Sequence, residues 1–320
     1  MEYLKMEDEI KYCSKRYELQ RNIEDKFLEE GYFYIELSAF EDLNKFTSLY
    51  KKAKKDSLVK LLREGSEVLI LRPDNTTSII KNFIPRWQED ISLKLFYNST
   101  VFRNNPNSNI SEIRQLGVEY LGGNILAVDK EVIGMTLDVL NRFNNDFILE
   151  LSNTKYISGL LEEIDIQDSQ KQKLKDFIYY KNKYELLEYI KKLNIPKDIC
   201  HCLFNILDFQ GEILEVIDMA ENYYTNNIMD EALAELRILG DFIEKENYSK
   251  YVHFDLSMIM ELDYYDGVIF KGYYPNSFEE IICGGRYDSF TEEFGQRVPA
   301  VGFSLNLDEL TKVYLEKDGE

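Results

Sequence analysis

Residues 93–123, LKLFYNSTVFRNNPNSNISEIRQLGVEYLGG, constrain the fold more than any other stretch of the chain. Leu93, Leu95 and Tyr97 alternate with Lys94 and Phe96, and Val101-Phe102-Arg103 continues in an extended style. Residues 104–111 are polar. Ile113, Leu116, Val118 and Tyr120 then lie on a second run that ends at Gly122-Gly123. Two apolar runs around a polar turn predict an antiparallel hairpin. Its polar residues carry the functional argument: Arg103 just before the loop, Gln115 and Glu119 after it. Gln115 and Glu119 are four residues apart, so on a strand they share one face. A cation and two acceptors facing one way suit an amino-acid or nucleotide pocket; the same trio also suits a solvated sheet face.

The remainder supplies enough material for a large core. The chain has 320 residues, of which 44% are hydrophobic and 13% aromatic, as in a globular protein of one large or two moderate domains. No stretch approaches the roughly 18 consecutive apolar residues of a membrane span. The N-terminus, MEYLKMEDEIKYCSKRY, is charged from the start and has no signal-peptide core, so a cytoplasmic location is expected. A formal net charge of −20 repels nucleic acid at long range. Cys200-His201-Cys202 has the look of metal ligands, but no second Cys/His cluster accompanies it and His253 is the other histidine. Small buried side chains on a helix are the expected reading, with no metal.

In chain order, a helix is expected over Glu7 to Glu30, stopped by Gly31. A short extended run, Tyr32 to Leu37, leads to Phe40-Glu41-Asp42. Lys51 to Lys55, KKAKK, is either a solvated helix face or a docking patch for an anion. Glu67 to Pro73 reads as a strand. It ends at Asp74-Asn75-Thr76, which either caps the helix Thr77 to Phe83 or places Asp74 and Thr76 where a ligand's ammonium group can be received. A helix over Asp129 to Phe143 and a strand over Asp146 to Leu151 follow. From Thr154 to about Asn226 strand signals disappear, and paired apolar residues recur at helical intervals. Met229 to Glu246 is a long helix. Strands are then expected at Tyr251 to Met258, through Val268-Ile269-Phe270, at Glu280 to Cys283 and at Ala300 to Ser304. Gly284-Gly285 allows a tight turn or close approach to a ligand. The last helix is capped by Asn306 or Asp308 and ends near Leu315.

Four segments sit in a telling order: LRPDNT, FR followed by QLGVE, LDYYDGVIF, and GGRYD with PAVGFSLNLDEL. Together they resemble the catalytic core of class II histidyl-tRNA synthetases over nearly the whole chain. The resemblance implies an α+β fold, an antiparallel sheet flanked by helices, dimeric through its first helix and strand. It divides the chain into core (1–153), helical insertion (154–226) and core again (227–320), with no anticodon-binding domain. It also places Asp74, Thr76, Arg103, Gln115, Glu119, Tyr265 and Tyr287 at positions that line a histidine pocket.

The match departs from a working synthetase at cationic positions. Glu309 stands where the family has an ATP-binding arginine, and Met260-Glu261 where it has an Arg-Gly pair. The loop over 104–113 holds no Lys or Arg. Adenylation relies on cations around the phosphates, so tRNA charging is not expected, nor tRNA binding. The pattern is similar to that of ATP phosphoribosyltransferase regulatory subunits. This implies a non-catalytic chain that activates a short-form catalytic subunit in the first step of histidine biosynthesis, within a hetero-oligomer. It would take part in inhibition by histidine and need no cofactor. The alternatives are a divergent ligase, in which Arg103 and Arg286 could hold phosphates, an amino-acid sensor, or a truncated structural dimer with no ligand.

Overall fold

The computed structural model describes residues 5–49, 57–63, 67–104, 109–277 and 279–317. The KKAKK run lies outside these residues. Helix α1 (Met6–Glu29) opens with Glu7, Asp8 and Glu9, carboxylates that favour the positive end of a helix. It buries Leu19, Ile23 and Phe27 at i, i+4 spacing and stops at Gly31, whose φ of +80° is the left-handed conformation that ends helices. Then come β1 (Phe33–Tyr34), β2 (Phe40–Asp42), α2 (Leu43–Leu49), β3 (Lys60–Leu62), β4 (Val68–Leu71) and α3 (Asn75–Phe83). The expected hairpin is β5 (Leu93–Asn104) and β6 (Ile110–Leu121), paired antiparallel from Leu93↔Leu121 to Asn104↔Ile110.

Helix α4 (Ile125–Phe143) starts four residues before the sequence suggests, because the Asn124 side chain caps it through the N–H of Ala127. β7 (Ile148–Asn153) leads into the helical stretch: α5 (Thr154–Glu162), α6 (Asp168–Tyr179), α7 (Lys183–Ile190), α8 (Lys197–Asn205), the two-residue β8 (Gln210–Gly211) and α9 (Ile213–Glu221). Cys200 and Cys202 lie on α8, Cys202 buried. α10 (Asn227–Lys245), β9 (Val252–Asp255), β10 (Val268–Tyr273), β11 (Ile282–Arg286), α11 (Asp288–Glu292), β12 (Ala300–Asn306) and α12 (Leu307–Lys317) complete the chain. Asn306, not Asp308, caps α12, accepting from the N–H of Glu309. The Asp308 carboxylate instead meets Tyr12 and Arg16 of α1 and Arg114 of β6.

Among the described residues, nine strands form one sheet in the order β1-β5-β6-β12-β11-β10-β7-β9-β8. Its six central strands are antiparallel, whereas β1 joins β5 and β9 joins β7 in parallel. The small β8, where the sequence shows no strand signal, pairs antiparallel with β9 and ties the helical stretch to the sheet edge. A second sheet, β2-β4-β3, sits beside α3.

Period-two alternation sorts the large sheet into two faces. Phe96, Leu116, Val118, Phe303, Leu305 and Phe270 point into the main core with residues of α1, α4 and α12. Leu160, Leu174, Ile178, Leu186 and Cys202 of the helical stretch belong to the same buried cluster. The opposite face carries Leu95, Tyr97, Leu121 and Ala300, covered by Ile79 and Ile80 of α3, by Tyr264 and by Phe290. The polar residues singled out in the sequence gather on this second face.

Candidate functional site

The site starts from the cap of α3. Asp74 is extended and half-buried, and one of its carboxylate oxygens accepts from both the N–H and the hydroxyl of Thr77, each at 2.6 Å. That fixes the first turn of α3 against β6. The Asn75 amide donates to Gln115 Oε1 at 3.0 Å, and the Thr76 hydroxyl donates to Glu119 Oε1 at 2.6 Å. From the other side Tyr287, just beyond β11, donates its hydroxyl to Glu119 Oε2. Gln115 and Glu119 share one strand face, and α3 reads both.

Glu119 is the electrostatic centre. It is 1% exposed. Burial pushes its carboxyl up to about 8; the Thr76 and Tyr287 hydroxyls pull it down and the Asp74 charge pushes it up again. At neutral pH the carboxyl is therefore mostly protonated. Glycines make the room. Gly302 lies opposite Glu119 in the β12–β6 ladder, and a Cβ there would strike the Glu119 carboxylate and the Val118 carbonyl. At Gly117 a Cβ would strike the Tyr97 hydroxyl, and at Gly285 it would press on Tyr265.

Tyrosines wall the site. Tyr264 stacks on Phe290 with centroids 4.8 Å apart and meets Tyr265 at 4.7 Å and Tyr287 at 5.7 Å. Burial drives the phenols of Tyr97, Tyr264, Tyr265 and Tyr287 well above their ordinary range, so all four stay neutral donors. Of the residues named from sequence, Thr76, Gln115, Glu119, Tyr265 and Tyr287 lie together, with Asp74 at the edge. Asn75, Tyr97 and Tyr264 were not singled out. The signal for Tyr97 was its alternation onto the face of Leu95, and for Tyr264 its neighbour Tyr265.

Arg103 lies further along β5, on the strand face of Tyr97, and its guanidinium is 3.7 Å from Glu261. The acid that replaces a family glycine thus reaches the arginine the family retains. Glu309 faces Lys312 on its own helix. Arg286 does not serve as a phosphate ligand, contrary to the ligase alternative. It follows Gly285 on β11, so it projects through the opposite face. There it is 4% exposed, bonded to Asp129 at 2.6 Å, to Asp288 at 2.8 Å and to the Ile125 carbonyl at 3.1 Å. Its charge is fully engaged in joining α4 to α11. Among the described residues no group of three or more His, Cys, Asp or Glu side chains is arranged to hold a metal ion.

The chain's relatives can be set against this geometry. The family model for histidyl-tRNA synthetase matches residues 10–310. An ATP phosphoribosyltransferase regulatory subunit from Bacillus cereus (strain B4264) is 31% identical over 311 residues, covering 95% of this chain and 73% of that protein. A crystal structure from Bacillus halodurans, described as an ATP phosphoribosyltransferase regulatory subunit/histidyl-tRNA synthetase, superposes with a TM-score of 0.84 at 27% identity, over 94% of this chain and 79% of that one. A chain of the ATP phosphoribosyl transferase (HisG:HisZ) complex from Thermotoga maritima shares the fold, with a TM-score of 0.69 at 20% identity over 91% of this chain and 97% of that one. The chain belongs to the histidyl-tRNA synthetase family of folds and, within it, to the ATP phosphoribosyltransferase regulatory subunits.

Proposed function

We propose that this chain is a non-catalytic regulatory subunit that activates a short-form ATP phosphoribosyltransferase catalytic chain in the first step of histidine biosynthesis, and that its tyrosine-walled pocket binds a histidine-like ligand. The observation that carries the reading is the charge of the site in a chain of this family. Asp74 and Glu119 put two carboxyls in the site, and Arg103 is paired with Glu261 at 3.7 Å. A triphosphate would approach acids where phosphoryl chemistry needs cations. An ammonium or imidazolium would instead find a buried carboxyl, hydroxyl donors and aromatic faces.

In this reading the chain supplies conformation to its partner. Complex formation shifts the catalytic chain toward an active state, and histidine shifts it back, which requires ligand contacts that differ between the two states. Homodimerisation through α1 and β1 is supported by their exposed apolar side chains: Ile10, Tyr17, Leu28, Phe33 and Tyr34. No helix among the described residues is long and apolar enough to cross a membrane. A biosynthetic role supports a cytoplasmic location for the complex.

The test is to purify both chains separately, mix them, and measure co-elution by size exclusion and ATP–pyrophosphate exchange with each amino acid in turn. Co-elution with no exchange supports the reading. Exchange that histidine stimulates, without a complex, would replace it with the ligase.

A further inference from the structure

Asn75, the first residue of α3, stands between its cap Asp74 and Thr76, and is 1% exposed. One end of the amide is accounted for, since Nδ2 donates to Gln115 Oε1 at 3.0 Å. The other is not: Oδ1 is buried and has no hydrogen-bond partner among the described residues. Buried amide oxygens are nearly always paired, because leaving one dry forfeits its hydration. Few side-chain atoms in this structure share that condition; the others are Arg72 Nε and Ser152 Oγ. Asn75 is one residue from the Thr76 hydroxyl that bonds Glu119.

The surroundings say what is missing. Asp74 and Glu119 are acceptors when charged, and Glu119 already takes hydroxyl hydrogens from Thr76 and Tyr287. A further acceptor beside them calls for a further donor. We propose that Asn75 is a binding residue of this pocket, its Oδ1 accepting a hydrogen bond from an N–H of the bound ligand. The ligand class is then a small molecule with at least two N–H-bearing groups: one cationic for Glu119 and Asp74, and one for Asn75. An α-amino acid with an imidazole side chain has both. The Gln115 amide holds Asn75 in place, so Gln115 acts as a positioning residue. This inference rests on the ligand reading proposed above.

Calorimetric titration of the purified full-length chain with histidine tests it, using the parent, Asn75→Leu, Asn75→Asp and Gln115→Leu. Losing one hydrogen bond of this kind corresponds to about a tenfold weaker Kd. Asn75→Leu is expected to weaken histidine about tenfold or more, while Asn75→Asp, which keeps an acceptor, stays within about threefold of the parent. Titrations with the two ring-methylated histidines then locate the donor. If Asn75 reads the imidazole, one methylated ligand binds parent and Asn75→Leu alike; if it reads the ammonium, the Asn75→Leu loss persists with both. Unchanged histidine affinity in Asn75→Leu, with normal binding to the parent, overturns the role of Asn75 alone. No heat from the parent with histidine overturns the ligand reading itself and this inference with it. Retained circular dichroism and melting of each variant separate loss of binding from loss of fold.

Discussion

Replacing Glu119 with Gln makes the pocket's electrostatics measurable. In the folded chain burial holds this carboxyl at about 8, against about 4.5 when exposed. The folded state therefore keeps a proton that the unfolded state releases above about pH 4.5. The group's contribution is most favourable below the unfolded value and is lost as pH rises through the folded value near 8. Each pH unit in that window costs about 1.4 kcal/mol, and the whole shift amounts to about 5 kcal/mol. Gln is neutral at every pH and keeps one acceptor oxygen, while the Thr76 and Tyr287 hydroxyls can turn to accept from its amide. The assay is urea unfolding of parent and Glu119→Gln at half-unit steps from pH 5 to 9. Asp129, pushed up to about 6 by burial against the pull of Arg286, bends both curves equally and cancels in the difference. The stability of the variant minus that of the parent is expected to rise by about 2–3 kcal/mol between pH 6 and 8 and then to level off. A flat difference curve would refute a buried, proton-holding Glu119. The same linkage makes a cationic ligand bind more tightly as pH rises from 6 to 8, because it must displace that proton.

Arg286→Met strands Asp129 and Asp288 in the core, and removal of one member of a buried ionic network costs about 3–5 kcal/mol; an unchanged urea midpoint would contradict the network. Gly302→Ala forces a methyl against the Glu119 carboxylate and the Val118 carbonyl. Overpacking of this kind costs about 1–3 kcal/mol, so the variant is expected to melt earlier and lose ligand binding, and parent-like melting would mean the β12–β6 register is wrong. Phe33→Glu puts a charge on the exposed apolar surface of β1, where Phe33 is 70% exposed. Sedimentation is expected to show the parent as a dimer and the variant shifted toward monomer, whereas a variant as dimeric as the parent would move the dimer interface elsewhere.

The hairpin was legible in the sequence because both of its faces are used. Phe96, Leu116 and Val118 enter the core while Leu95, Tyr97 and Glu119 enter the site, and no other register satisfies both. The same period placed Gln115 and Glu119 on one face, where α3 meets them. The ligase alternative counted Arg286 among groups that could hold phosphates because parity was not carried one residue past Gly285. Had it been, Arg286 would have been assigned to the face of α4. Asn75 was passed over because a buried orphan acceptor has no signature in sequence; it exists only once Gln115 is opposite. The strands β3 and β8 were invisible for a different reason. With three and two residues they carry no period, and only neighbouring strands define them. The sequence leaves open whether Asp74 caps a helix or receives a ligand. It caps α3, and its charge is felt by Glu119 and the tyrosines around it.

The central claim is that this chain carries no catalysis of its own and confers it on another chain. Phosphoribosyl-ATP formation, followed by absorbance with ATP and phosphoribosyl pyrophosphate, tests this directly in three reactions: this chain, a short-form catalytic chain from the same source, and the two mixed. The expected result is no product from either chain alone, product from the mixture, and suppression of that product by added histidine. A catalytic chain equally active with and without this one would contradict the account.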